Sequence, residues 1–383
     1  MSRPFACFAL LYFFSNSALA QELPVDEVDE NEPYCWRDDR GNDFCALVWV
    51  DARGNQFETI TGFDGDENFF SLGTWYREDA QGQAATLDLY EPAGAVSSEN
   101  RPNFILLHGG LWKGGAPRNW VTQLWHFLAQ GYRVFVMQYH LDPCGRDDGF
   151  CSCNNQGPPR YAPVGTYGDA EDDLAAMAEW ISIRYSGPIV AIGNSAGGQL
   201  ALMGGARVPA IDAVVSISGI TDLSAFHNYY LEYLGACSPK TPLGSLPRLA
   251  GKVDEIMERY FSNGLRDASP AYQKNRKPKL IIHNRGDEIV PVHQVRGFVY
   301  DTVFDNNVWK YLELDRGSDH LGQDVLDVVV DEVLAGGEVK SVFDWVVDFV
   351  NAHFEAPSRP EWSLPQALPF KLRSKVVLRT VWD

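Results

Sequence analysis

The hexapeptide Gly193-Asn194-Ser195-Ala196-Gly197-Gly198 stands between the apolar run Pro188-Ile189-Val190-Ala191-Ile192 and the small-residue stretch Gly198 to Met203. A bare Gly-x-Ser-x-Gly carries little weight, since a chain this long shows one by chance roughly one time in ten. Its setting carries more. The short apolar run reads as a buried strand and the stretch after it as a helix. A strand that becomes a helix within so few residues needs glycine wherever a Cβ would strike the neighbouring strand or helix. Such a turn holds the serine on a strained backbone with its Oγ exposed. The helix N-terminus behind it favours developing negative charge.

The rest of the pattern supplies the sheet that this turn requires. Ala85 to Tyr90 alternates as a half-exposed strand, and Asn103-Phe104-Ile105-Leu106-Leu107, Tyr132 to Met137, Ala213 to Ile217 and Lys279 to Ile282 are short apolar runs expected of strands covered on both faces. Helical stretches lie between them, such as Ala170 to Ile183, with Leu174, Met177, Ala178 and Ile181 on one side. Ser341 to Phe354 reads as a closing helix. Strands alternating with helices predict a mostly parallel sheet with helices on both faces, over residues 74–355. Residues 21–73 read as an acidic lead-in followed by a small β meander, in which Phe44 to Val50 and Phe57 to Thr61 are strands and Cys35–Cys45 is a candidate staple. Two insertions, Leu141 to Tyr167 and a cap at 223–271, follow sheet strands and so are expected over the carboxyl edge where such sheets bind ligands. Residues 356–383 form a tail with no assigned role.

A nucleophilic serine needs a base, an orienting acid and a place for the oxyanion. His108-Gly109-Gly110-Leu111-Trp112 ends the strand 103–107, and the backbone N–H groups of Gly109 and Gly110, with that of Ala196, are the expected oxyanion donors. Leu111 and Trp112 are the expected substrate contacts, and His108 is expected to fix the loop. Of eight histidines, His320 lies in the loop after the last strand, beyond the candidate acid, and is taken as the base; His108, His126, His140, His227, His283, His293 and His353 are read as structural. Asp287, which follows the strand 279–282, is the acid. Asp319 is a rival, but a residue adjacent to the histidine rarely reaches its neighbour's Nδ1; Glu288 is a weaker one.

These residues resemble the esterase/lipase branch of the α/β-hydrolase superfamily, in particular the group of bacterial carboxylesterases, feruloyl-esterase-like enzymes and arylformamidases. The likeness covers about residues 74–355. It rests on His108-Gly109-Gly110-Leu111-Trp112, Gly193 to Gly198, Ser269-Pro270 and Asp287-Glu288-Ile289-Val290-Pro291, with the order Ser195, Asp287, His320. It implies a serine carboxylesterase that needs neither cofactor nor metal. Leu111 stands where many lipolytic relatives carry a third glycine, implying a narrower acyl side, and His140 stands where relatives often carry arginine. An arylformamide or peptide hydrolase of the same fold, and a catalytically silent binding protein, are the competing readings.

The chain begins Met1-Ser2-Arg3, runs apolar from Pro4 to Phe14 and reaches Ser15-Asn16-Ser17-Ala18-Leu19-Ala20, the layout of a secretory signal peptide cut after Ala20. The apolar run is too short for a membrane span. Export agrees with the cysteines left after that cut, Cys35, Cys45, Cys144, Cys151, Cys153 and Cys237, read as disulfide-forming, with a bridge expected between the first insertion and Cys237. The expected location is secreted or periplasmic. A net charge of −19 argues against nucleic acid and anionic membranes as partners, leaving a small-molecule or polymer-linked ester. Asp64-x-Asp66-x-Asn68 resembles the start of a calcium loop, but Phe69 occupies the glycine position and the closing glutamate is missing, so a solvated turn is expected.

Overall fold

A computed structural model of the chain describes residues 34–37, 43–50, 56–63, 69–78, 84–90, 100–142, 163–235, 246–300, 307–317, 319–330 and 340–354. The candidate signal segment 1–20, the Asp64 to Asn68 segment, Cys144, Cys151, Cys153, Cys237 and residues 356–383 lie outside them.

Among the described residues, eleven strands form one sheet. They are β1 (Tyr34–Arg37), β2 (Asp43–Val50), β3 (Gln56–Phe63), β4 (Phe69–Glu78), β5 (Ala84–Tyr90), β6 (Asn103–Leu107), β7 (Arg133–Gln138), β8 (Ile189–Asn194), β9 (Ala213–Ile217), β10 (Lys279–Asn284) and β11 (Val308–Leu314). Their order is β1-β2-β3-β4-β5-β7-β6-β8-β9-β10-β11. Every pairing from β7 to β11 is parallel, and every pairing from β1 to β7 is antiparallel. The N-terminal meander is therefore continuous with the main sheet. The change of pattern at residues 73 and 74 falls inside β4, whose residues pair with β3 along one edge and β5 along the other. A small ribbon of β12 (Val329–Val330) and β13 (Lys340–Ser341) stands apart.

The apolar runs are unbroken because the sheet is covered on both faces. Phe104, Leu106, Val134, Val136, Val190, Ile192, Val215 and Ile282 enter one core. Their alternate neighbours Ile105, Leu107, Phe135, Met137, Ala191, Val214 and Ile281 enter the other. Each large side chain so buried stabilises the fold by roughly 2 kcal/mol. Helices α1 (Leu124–Ala129) and α7 (Val342–His353) cover the first core. Helices α2 (Tyr167–Arg184) and α3 (Ala196–Arg207) cover the second, and it is there that Leu174, Met177, Ala178 and Ile181 are all buried, as the spacing predicts. Helix α7 starts where expected: Ser341 Oγ accepts from the Asp344 N–H at 3.0 Å, and the Asp344 carboxylate accepts from the Ser341 N–H at 2.9 Å. A reciprocal cap of this kind is worth about 1 kcal/mol.

The segment between β9 and β10 carries the cap helices α4 (Leu223–Gly235) and α5 (Leu246–Arg259), followed by a 3-10 turn at Pro270–Tyr272. Helix α6 (Val292–Tyr300) connects β10 to β11. The strand β11 carries the sheet one position beyond the run at 279–282. Among the described residues no helix is long and apolar enough to cross a membrane.

Candidate active site

Ser195 sits between β8 and α3 with φ 53° and ψ −119°. That is a left-handed backbone, which costs a residue carrying a Cβ about 1–3 kcal/mol. The turn survives because its surroundings leave no alternative. A Cβ on Gly193 would overlap the Gly197 carbonyl, and one on Gly197 would overlap the Leu107 carbonyl of the neighbouring strand. The Ser195 N–H donates to the Ile217 carbonyl at 2.8 Å, tying the elbow to β9. The first N–H groups of α3, that of Ala196 among them, have no acceptor within their own helix.

Across from the elbow, the loop after β6 is built on tight backbone turns. Gly110 has φ 120°, and Leu111 and Trp112 each have φ 55°. One expectation is corrected here. The Gly109 N–H donates to Asn194 Oδ1 at 3.0 Å, and an amide with a single hydrogen so engaged is not an oxyanion donor. Gly109 instead locks the loop to the elbow, which leaves the N–H groups of Gly110 and Ala196 as the candidate donors. Trp112, expected to contact substrate, is wholly buried. Its indole N–H donates to Gln199 Oε1 at 3.2 Å, and its ring meets Phe261 edge-on. Leu111 is 7% exposed. Gln199 in turn donates to the Ala268 carbonyl at 2.7 Å, so one buried amide joins the loop, α3 and the end of the cap.

Asp287 and His320 are brought together from positions 33 residues apart: His320 Nδ1 lies 2.8 Å from Asp287 Oδ2. A carboxylate only accepts, so Nδ1 carries the proton and Nε2 presents a lone pair. That Nε2 is buried and has no hydrogen-bond partner among the described residues. The other carboxylate oxygen, Asp287 Oδ1, accepts from the Ile289 and Val290 N–H groups at 2.9 and 2.8 Å. The rival Asp319 is half-exposed and lies beside Arg316. Ser195 follows β8, Asp287 follows β10 and His320 follows β11, so all three lie at the carboxyl edge of parallel strands, where such sheets bind ligands.

Two residues at the end of β10 brace the loops of the acid and the base: Asn284, which no local pattern marks, and His283, expected to be structural. Asn284 is fully buried. It donates to the Gly317 and Asp319 carbonyls at 3.0 and 2.6 Å and accepts from the Arg316 N–H at 2.9 Å, holding the loop that carries His320. His283 Nε2 bonds the Val290 carbonyl at 2.8 Å on the acid's turn, and burial pushes its pKa down. His108 is fully buried, with Nδ1 donating to the Gly109 carbonyl at 2.8 Å. Burial lowers its pKa to about 4, so it holds the loop as a neutral ring. His126 pairs with Asp327, His140 with Asp173 and His227 with Asp254. Among the described residues no group of three His, Cys, Asp or Glu side chains could hold a metal ion.

The cap is bound to the loop after β6 by charge. Asp142, with no exposed surface, accepts a two-pronged pair from Arg259 at 2.8 and 2.6 Å and lies 3.3 Å from Lys113 Nζ, itself fully buried. Lys113 belongs to the loop after β6 and Arg259 ends α5, so Asp142 joins the two.

A sequence model described as the alpha/beta hydrolase family matches residues 104–337, more than half of the 383-residue chain. Over 245 residues the chain is 25% identical to a Mycobacterium tuberculosis (strain ATCC 25618 / H37Rv) protein named "Probable carboxylic ester hydrolase LipM", covering 57% of this chain and 48% of that one. The chain thus aligns with about half the length of that curated relative. Among solved structures it is similar to Thermogutta terrifontis esterase 2 phosphoramylated by tabun, with a TM-score of 0.50, 16% identity and coverage of 75% of this chain and 97% of the other. The same esterase phosphorylated by paraoxon matches with a TM-score of 0.50, 16% identity and coverage of 75% and 96%. At these identities the structural likeness is one of fold. The matched span runs from β6 to beyond His320, and on that ground the chain belongs to the alpha/beta hydrolase family.

Proposed function

We propose that the protein is an exported serine hydrolase that cleaves carboxylic esters through an acyl-enzyme on Ser195. The observation that carries this reading is the Asp287–His320 pair, which leaves a buried, unengaged Nε2 on the same sheet edge as a serine held on a strained elbow. In the first half-reaction His320 Nε2 takes the proton from Ser195 Oγ as Oγ bonds to the ester carbonyl carbon. The N–H groups of Gly110 and Ala196 receive the negative charge that gathers on the carbonyl oxygen, each worth about 3 kcal/mol in the transition state. The C–O bond to the alcohol then breaks, and His320 gives that alcohol the proton. In the second, water replaces the alcohol, His320 takes its proton, and the carboxylic acid leaves as Oγ is reprotonated. Asp287 keeps the imidazole in the tautomer that both steps require. The name carried by the mycobacterial relative supports ester bonds as the target.

The test is hydrolysis of a p-nitrophenyl acyl series, acetate through decanoate, by the protein and by Ser195→Ala. Loss of kcat by roughly 10⁵ in the variant is expected, and the chain-length profile sizes the acyl pocket. Activity that survives the substitution overturns the reading. Export is tested separately by N-terminal sequencing of protein recovered outside the cytoplasm. The expected first residue is Gln21, and a product still beginning at Met1 would refute cleavage after Ala20.

A further inference from the structure

Three consecutive carbonyls on the turn that follows Asp287 are each gripped by a side chain. Tyr229 Oη donates to the Glu288 carbonyl at 3.1 Å, Tyr230 Oη to the Ile289 carbonyl at 2.9 Å, and His283 Nε2 to the Val290 carbonyl at 2.8 Å. Both tyrosines stand on α4, a helix of the cap, 59 residues before the carbonyls they bind.

The peptide units involved are the ones that hold the acid. The Glu288 carbonyl and the Ile289 N–H belong to one planar trans peptide and point in opposite directions. Tyr229 holds the carbonyl side of that plane, and Asp287 Oδ1 accepts from its N–H side at 2.9 Å. The next plane repeats the arrangement: Tyr230 holds the Ile289 carbonyl, and the Val290 N–H donates to the same Oδ1 at 2.8 Å. Two chains therefore run from phenol hydroxyl through peptide to carboxylate, and from the far oxygen of that carboxylate to His320 Nδ1. Hydrogen bonds in series polarise one another. A hydroxyl on the carbonyl makes the amide a stronger donor and stops its plane from rotating.

We propose that Tyr229 and Tyr230 are positioning residues for the hydrolytic reaction: the cap helix, through two phenol hydroxyls, orients the peptide planes that aim Asp287 at His320. The proposal rests on Asp287 being the triad acid. Under it the cap is a working part of the charge-orienting machinery as well as a cover. Tyr230 is fully buried and Tyr229 half-buried, and Tyr→Phe keeps each ring in its packing while deleting one donor.

The full-length protein, Tyr229→Phe, Tyr230→Phe and the double variant are compared by low-field proton NMR of the His320 Nδ1–H, assigned by its disappearance in His320→Gln. Thermal unfolding and steady-state kinetics on p-nitrophenyl acetate are measured alongside. The expected result is an upfield displacement of that resonance in each single variant and a larger one in the double. With it, kcat falls roughly three- to tenfold per hydroxyl, the weight of one net hydrogen bond, while KM stays within about twofold. A purely structural role would lower Tm without moving the resonance. An unchanged resonance and unchanged kcat in the folded double variant overturn the proposal. Hydrolysis that survives Ser195→Ala would overturn the esterase reading instead, and the resonance would still decide how Asp287 is held, so the two failures are distinguishable.

Discussion

Tyr139 lies face to face with His108, ring centroids 4.4 Å apart and planes 14° from parallel, and its hydroxyl donates to the His108 carbonyl at 2.7 Å. His108 is thereby clamped twice, by its ring and by its backbone, at the point where β6 opens into the loop that follows it. The histidine is fully buried, so a proton on it would have no water to solvate it.

That burial sets a pH dependence. The folded protein holds His108 at a pKa of about 4, whereas an unfolded histidine titrates near 6.5. Between those values the unfolded chain binds a proton that the folded chain refuses. Stability is therefore full above about pH 6.5 and is lost as pH falls toward 4, by about 3 kcal/mol over the whole window for this one group. Burial shifts His283 in the same direction. Urea midpoints measured from neutral pH downward should fall across this window, and His108→Asn should flatten the slope. A midpoint constant down to about pH 5 would contradict the assignment.

Asn194, the variable position of Gly-x-Ser-x-Gly, ties the loop after β6 to the elbow by accepting the Gly109 N–H. Asn194→Ala leaves that amide buried without its acceptor and frees the loop from the elbow. A fall in kcat of about 10- to 100-fold is expected, with a loss of about 1–2 kcal/mol in stability. Asn194→Asp retains an acceptor oxygen and should keep more of the activity. Equal kcat in Asn194→Ala and the parent protein would show that the loop is held by other means.

Asp142 carries a buried charge balance between the loop after β6 and the cap. Replacing it with asparagine keeps the shape and removes the negative charge facing Lys113 and Arg259. Breaking a buried pair from one side is costly, so a loss of about 3 kcal/mol is expected in denaturant unfolding. Arg259→Lys, which gives up the two-pronged geometry but keeps the charge, should cost less. The order Asp142→Asn milder than Arg259→Lys would be the wrong one for this network.

Cys35 and Cys45 are direct cross-strand partners in the β1–β2 register. Residues so opposed have Cα atoms about 4.5–5.5 Å apart, within the span a disulfide bridges. Peptide mapping of the oxidised, non-reduced protein is expected to yield a Cys35–Cys45 link. A link from Cys35 to any of Cys144, Cys151 or Cys153 would exclude it.

What could be read in the sequence and what could not divides along distance in the chain. The strand–Ser195–helix turn was legible because its constraints are local: Gly193 and Gly197 sit within two residues of the serine and report steric contacts that any such turn makes. The buried strands were legible for a related reason, since coverage on both faces removes the polar alternation. Pairing Asp287 with His320 followed from their order after successive strands. The remaining partners are contacts between side chains and distant backbone, and no local pattern marks them. Asn194 reaches Gly109 across 85 residues, and Arg259 reaches Asp142 across 117. The engagement of the Gly109 N–H was not legible, because a glycine pair announces room for a backbone turn but not which of its amides is already bonded. The continuity of the meander with the main sheet escaped for a similar reason: β4 and β5 join by ladder hydrogen bonds, which side-chain patterning does not record.

The left-handed backbone at Ser195 has a consequence for how such a chain can change over generations. Its φ of 53° suits glycine better than serine, so Ser195→Gly should raise stability by about 1 kcal/mol while abolishing hydrolysis. Selection for robustness alone would drift toward an inert fold, because the first step in that direction is thermodynamically downhill. A hydroxyl at this position therefore stands against the folding landscape, since nothing in the architecture itself favours it over glycine.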